Sequence, residues 1–127
     1  MMKLFLLLTM LFAHLVDDYY LQGFLASAKQ KSWWKENAPD KLYRYDYIIA
    51  LIEHAFSWTF VTMLIPAIYL LKTTGSIQST YLALFILNWI IHAMIDNAKA
   101  NLKKINLVQD QLFHIFQVYI TWFCLIT

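Results

Sequence analysis

The sequence is short of nearly everything a soluble domain has in quantity: charge, glycine, proline and cysteine. Charged residues are 14% of the 127 positions, where a soluble domain carries about a quarter. That shortfall excludes a fully solvated surface. The single cysteine, Cys124, excludes a disulfide framework and a cysteine-based metal site within one chain. Two glycines and two prolines exclude a loop-rich or collagen-like architecture. A net charge of only +2, with no basic stripe carrying interleaved aromatics, excludes a nucleic-acid partner. What the chain has instead is apolar surface, with 61% hydrophobic residues, in a length that suits one domain.

The apolar residues fall into four stretches, and these predict helices over about residues 2–28, 42–71, 76–103 and 106–126. The first holds enough apolar chain to cross a bilayer core, which needs about 20 residues. The expected fold is all-α: a four-transmembrane-helix, up-down-up-down bundle forming a single integral membrane domain over residues 1–127. Lys3 followed by Leu4 to Ala13 resembles the start of a secretory signal, and Ala26-Ser27-Ala28 fits a cleavage site. Asp17 and Asp18 lie between them, so we expect a retained membrane helix. Local punctuation agrees with the four helices. Trp33 and Trp34 are interfacial aromatics in a loop over residues 30–41. Pro39-Asp40 should start the second helix, with Asp40 as its cap. Pro66 should kink that helix, Gly75 should end it, and Asn106 with Gln109 should cap the last one.

Polar residues inside the apolar stretches are few and patterned. His14 and Asp18, and again His92 and Asp96, stand four apart; Asp110 and His114 repeat the pair in reverse order. At that spacing both side chains lie on one helix face. His54, the fourth histidine, lies in a further apolar stretch. Threading the helices antiparallel tests whether the pairs converge. Asp18 and His92/Asp96 come late in their helices, and Asp110/His114 come early. His54 lies about a dozen residues, or ~18 Å, into its own. All four helices then place their polar groups in the same half of the membrane. Lys29, Lys31, Lys35, Lys41, Arg44, Lys99, Lys103 and Lys104 lie at that end, and Lys3 and Lys72 at the other. The positive-inside rule puts the basic end in the cytoplasm and both termini in the periplasm, in a multi-pass inner-membrane protein.

Three aspartates left unpaired at full depth would cost on the order of 8–10 kcal/mol on insertion scales. A divalent cation removes that cost by binding neutral imidazole and ionised carboxylate together. The candidate ligands are His14, Asp18, His54, His92, Asp96, Asp110 and His114. The ligand types suit zinc, as one or two ions. The bland alternative is that each pair is an interhelical hydrogen bond. Asp17 and Glu53 are left outside the set, and Tyr19, Tyr20, Trp58, Trp89 and Trp122 are expected to pack or to line the interface.

His14-x-x-x-Asp18-x-x-x-Gln22, His54, His92-x-x-x-Asp96-x-x-Lys99 and Asp110-Gln111-x-x-His114 together resemble the membrane family catalogued as domain of unknown function 3307. Asp17 departs from that pattern, which implies a small or apolar residue there. The resemblance covers nearly the whole chain and implies a small integral membrane protein of bacteria and phages, with no activity attached. In kind, a His/Asp metal site within membrane helices is similar to those of alkaline ceramidases and progestin/adiponectin-type receptors, by analogy of site alone.

The expected function is a metal-dependent hydrolase acting on an amphiphilic, lipid-like substrate at the cytoplasmic interface, with membrane lipid as its surroundings. Asp18 or Asp96 would act as general base, and Gln22, Lys99 and Gln111 would contact substrate. Two alternatives use the same ligands. One is a divalent-metal or proton conduit, for which the periplasmic half offers no ionisable groups apart from the helix ends. The other is a phage or bacterial binding protein with a structural metal in a closed coordination sphere.

Overall fold

The computed structural model of the protein describes residues 1–127. It is helical throughout, without strands. Four long helices dominate: α1 (Met2–Val16), α4 (Asp46–Thr74), α5 (Ser79–Ala100) and α6 (Leu107–Ile126). Two short ones, α2 (Phe24–Ala28) and α3 (Lys31–Asn37), link α1 to α4. Helix α4 packs on α5, α5 on α6, α6 on α1 and α1 on α4, closing a ring. Hydrogen bonds fix the relative directions. Lys3 at the start of α1 donates to Ile126 O at the end of α6, and Trp122 Nε1 donates back to Lys3 O. Tyr81, early in α5, donates to Met63 O, late in α4.

Three segments are long and apolar enough to cross a membrane: Met2–Leu21, Lys41–Thr74 and Ser79–Ala100. The interior reads as the inverse of a soluble domain. Fourteen buried residues are polar or charged and twelve are hydrophobic, while Leu4, Phe12, Ile86, Ile90, Met94 and Phe116 face outward. A water-soluble fold sorts them the other way. In hydrocarbon, the polar groups must find partners inside.

The punctuation behaves unevenly. Gly75 ends α4 in a left-handed conformation, φ 75°, with its N–H bonded to Leu71 O. Asn106 and Gln109 form a reciprocal capping box at the start of α6. Helix α4 continues unbroken through Pro66. The first helix is not continuous to Ala28. It widens into a π-helical turn over Asp17–Leu21 and breaks at Gly23, whose φ of 46° suits a residue without a Cβ. The loop over residues 30–41 holds α3, whose Trp33 and Trp34 pack with Phe24 and Tyr43. Asp40 caps only a short 3-10 turn, Lys41–Tyr43, through a bond from Leu42 N–H, and α4 starts later at Asp46. Helix α5 starts at Ser79 rather than residue 76 and stops at Ala100 rather than residue 103. Beyond that stop, Lys103 adopts φ 54° and Lys104 N–H returns to Ala98 O, which closes a left-handed helix end.

Candidate metal centre

Asp96 is the hub. It lies on α5 and is 1% exposed. Its Oδ2 is 2.5 Å from His54 Nε2 on α4 and 2.5 Å from the Lys29 ammonium at the end of α2. Its Oδ1 is 3.2 Å from His114 Nε2 on α6. His92 Nε2, one helical turn earlier on α5, is 3.8 Å from Asp96 Oδ2 and 3.1 Å from His54 Nε2. Four elements thus point nitrogen at one carboxylate.

The rings are held by stacking. His92 stacks with Trp58, at 4.2 Å and 18°, and with His114, at 4.1 Å and 28°, and those two rings also approach each other, at 5.7 Å. The Nδ1 atoms of His54, His92 and His114 are buried without hydrogen-bond partners. Ligand imidazoles usually donate that nitrogen to a carbonyl or carboxylate; these three do not. Trp58 was outside the expected site, although it stands four residues from His54 on the same face.

Two groups of ligand atoms lie within 4.8 Å of one another: Asp18/His54/His92 and His92/Asp96/His114. Tetrahedral zinc with metal–nitrogen bonds of about 2.0–2.1 Å spaces its ligand atoms by ~3.3 Å. The His54–His92 and His114–Asp96 separations, 3.1 and 3.2 Å and one from each group, lie near that edge, whereas His54–Asp96 is shorter at 2.5 Å and His92–Asp96 Oδ2 longer at 3.8 Å. His54 Nε2 has Gln22 Nε2 at 3.3 Å, Lys29 Nζ at 3.0 Å and His92 Nε2 at 3.1 Å, besides the Asp96 oxygen. One ring nitrogen carries one proton or one lone pair, so it satisfies only one of these neighbours. The cluster offers His54 more neighbours than one nitrogen can satisfy, and the cation among them is the Lys29 ammonium.

The seven expected ligands separate into two sets. Asp18, His54, His92, Asp96 and His114 fall in the two groups. His14 and Asp110 do not. His14 Nδ1 accepts from Trp58 Nε1 at 2.8 Å, and its Nε2 faces Gln111 Oε1 at 3.2 Å. Both nitrogens are engaged, so His14 is a brace between α1, α4 and α6, and its contact with Asp18 lengthens to 3.6 Å. Asp110 pairs with Lys99 and lies 3.4 Å from His114 Nε2, which makes it a second anionic partner for that ring.

Asp17, set aside on sequence, is fully buried. It accepts from Ser57 Oγ at 2.8 Å and from Gln22 Nε2 at 3.4 Å. The π turn explains this, because its i,i+5 spacing brings Asp17 under Gln22, which also donates to Asp18 Oδ1 at 2.8 Å. Glu53 is exposed on the outer face of α4. Lys29 is the larger omission. Counted among the cytoplasmic loop charges, it is buried against Asp96. Asn101 donates to Lys29 O, and Trp34 donates to Ala28 O, which fixes the chain at that point.

The three expected substrate contacts, Gln22, Lys99 and Gln111, line one cavity of about 300 Å³ together with Asp18, Lys29 and Lys103. Gln22 and Gln111 also brace Asp18, donating to its two oxygens at 2.8 and 3.0 Å.

A family model described as protein of unknown function (DUF3307) matches residues 6–127. The chain belongs to this family. The match spans α1 to α6 and every residue of the cluster, so the His/Asp centre lies wholly within the family domain. No curated protein and no solved structure matches the chain.

Proposed function

We propose that this DUF3307 protein is a metal-dependent hydrolase of the inner membrane, acting on an amphiphilic substrate at the cytoplasmic face. In this proposal α1, α4, α5 and α6 are four spans of an up-down-up-down bundle. The basic end faces the cytoplasm and both termini face the periplasm. One observation carries the proposal. A histidine–carboxylate cluster of ligand spacing adjoins a polar cavity at the basic end, and Asp18 belongs to both.

His92, Asp96 and His114 would hold the ion, with His54 beside them; because His92 belongs to both ligand groups, one ion per chain is the simplest occupancy. A zinc-type divalent ion supplies Lewis acidity and a water acidified toward neutrality. Asp96, enclosed by His54 and His114, serves as ligand rather than base once the Lys29 ammonium beside it has withdrawn. Asp18 is the better base. Its side chain is 9% exposed, faces the cavity and is oriented by two glutamine amides. It takes the proton from water as the oxygen adds to the scissile carbonyl or phosphoryl centre, and the departing group receives that proton.

The test is turnover of a panel of ester, amide and phosphoester lipids by protein in vesicles. Wild type should hydrolyse at least one of them, and Asp18→Asn should keep the metal and lose turnover. An Asp18→Asn variant as active as wild type, or a metal-loaded wild type inert toward the whole panel, would overturn the proposal.

A conduit is the second reading, supported by a buried polar column beyond the cluster. Asn88 Nδ2 donates to Thr121 Oγ1 at 2.8 Å, and Gln117 Nε2 donates to Asn88 O at 2.8 Å. Thr121 is seven residues from His114, or ~10 Å along α6. Proton or metal flux across sealed vesicles, abolished by Asn88→Leu, would favour it over hydrolysis.

A further inference from the structure

We infer that the cavity at the basic end is a subsite for a phosphate-bearing lipid head group, with Lys103 as its free cation. This rests on the hydrolase proposal for its place in catalysis and names the substrate's charge. Three ammonium groups, Lys29, Lys99 and Lys103, share the cavity wall with one carboxylate, Asp18. Lys29 is engaged by Asp96 and Lys99 by Asp110. Asp18 is screened by the amides of Gln22 and Gln111. Lys103 forms no ion pair and is exposed. Lys99 keeps 26% of its side chain exposed while it binds Asp110, so it has ammonium protons to offer a second anion.

The backbone at Lys103 is an independent observation. Its φ of 54° closes α5 at a position where glycine is the unstrained choice. A lysine here gives up backbone ease, while its side chain lines the cavity. The remaining wall includes Tyr19 and Leu107, both with outward-facing apolar surface. A head group seated between the lysines would leave its chains beside that surface. Basic pockets between membrane helices on the cytoplasmic side suit anionic lipid head groups.

The experiment measures binding, not turnover. Purified protein in phosphatidylcholine nanodiscs is titrated with phosphatidic acid, with diacylglycerol of the same chains, and with inorganic phosphate. Native mass spectrometry reads lipid occupancy, and metal content is measured on the same samples. Phosphatidic acid should bind saturably and diacylglycerol should not. Lys103→Gln should weaken phosphatidic acid binding about fivefold, and Lys104→Gln, outside the cavity, should leave it unchanged. Lys103→Gly should weaken binding while raising the melting temperature, which separates ligand binding from folding. Equal binding of diacylglycerol, equal losses in the two glutamine variants, or displacement by inorganic phosphate at the same concentration as the lipid would each overturn the lipid subsite. Lys103-dependent binding by a chain that holds no metal would support the subsite and sink the hydrolase. Metal-loaded chains without Lys103 dependence would do the reverse.

Discussion

Replacing Lys29 by methionine should tighten divalent metal binding. The Lys29 ammonium stands 2.5 Å from Asp96 Oδ2 and 3.0 Å from His54 Nε2, where a cation bound by those groups would be. A univalent and a divalent charge ~4 Å apart repel by about 8 kcal/mol at an effective dielectric constant of 20. The two therefore exclude each other, and metal entry requires the ammonium to withdraw. Withdrawal breaks a charge-assisted hydrogen bond of about 1.5–3 kcal/mol. Methionine keeps the length and apolar stem without that bond, so metal affinity should rise about ten- to a hundredfold. The metal-free form should become less stable, because Asp96 loses its ammonium partner. Competition against a zinc-chelating dye, in detergent, reads the affinity, and thermal denaturation with and without metal reads the stability. An unchanged or weakened affinity in Lys29→Met would refute competition for one position and place the ion away from Asp96.

Other substitutions separate ligands from braces. His92→Ala and His114→Ala should each lose most bound metal by elemental analysis, whereas His14→Ala should retain it. Loss of metal in His14→Ala would restore that residue as a ligand. Trp58→Phe keeps a stacking ring over His92 but leaves His14 Nδ1 without its donor, and should destabilise the protein by about 1–3 kcal/mol in detergent denaturation. An unchanged stability would remove the brace. A reporter active only outside the cytoplasm should be active when fused after Thr127; an inactive fusion would invert the orientation.

Signals carried within one turn of helix were legible in the sequence. Asn106 and Gln109 meet in their capping box, and Gly75 takes the left-handed end of α4. The i,i+4 spacing puts His92 with Asp96, and Asp110 with His114, on shared inward faces, and His54, which has no such partner on its own helix, meets them only through packing of α4 on α5. Spacing along one helix does not say which partner arrives from the next. Trp58 and Gln111 occupy both nitrogens of His14, a choice made by packing. Asp17 escaped because the α-helical period assumed for the first helix fails in the π turn at Asp17–Leu21. Lys29 escaped because its contact with Asp96 spans 67 residues and depends on the break at Gly23 that turns α2 inward. As a lysine near a helix end, it carried the same signature as the neighbouring interfacial charges.

Metal content decides most directly whether the buried cluster is a metal centre. Purified wild-type protein, expressed in medium with ordinary trace metals and kept free of chelators, should carry close to one zinc-type divalent ion per chain by elemental analysis. Folded protein that carries no ion, and takes up none when equimolar zinc is supplied, would contradict this and leave the histidines and aspartates as a hydrogen-bonded network between helices.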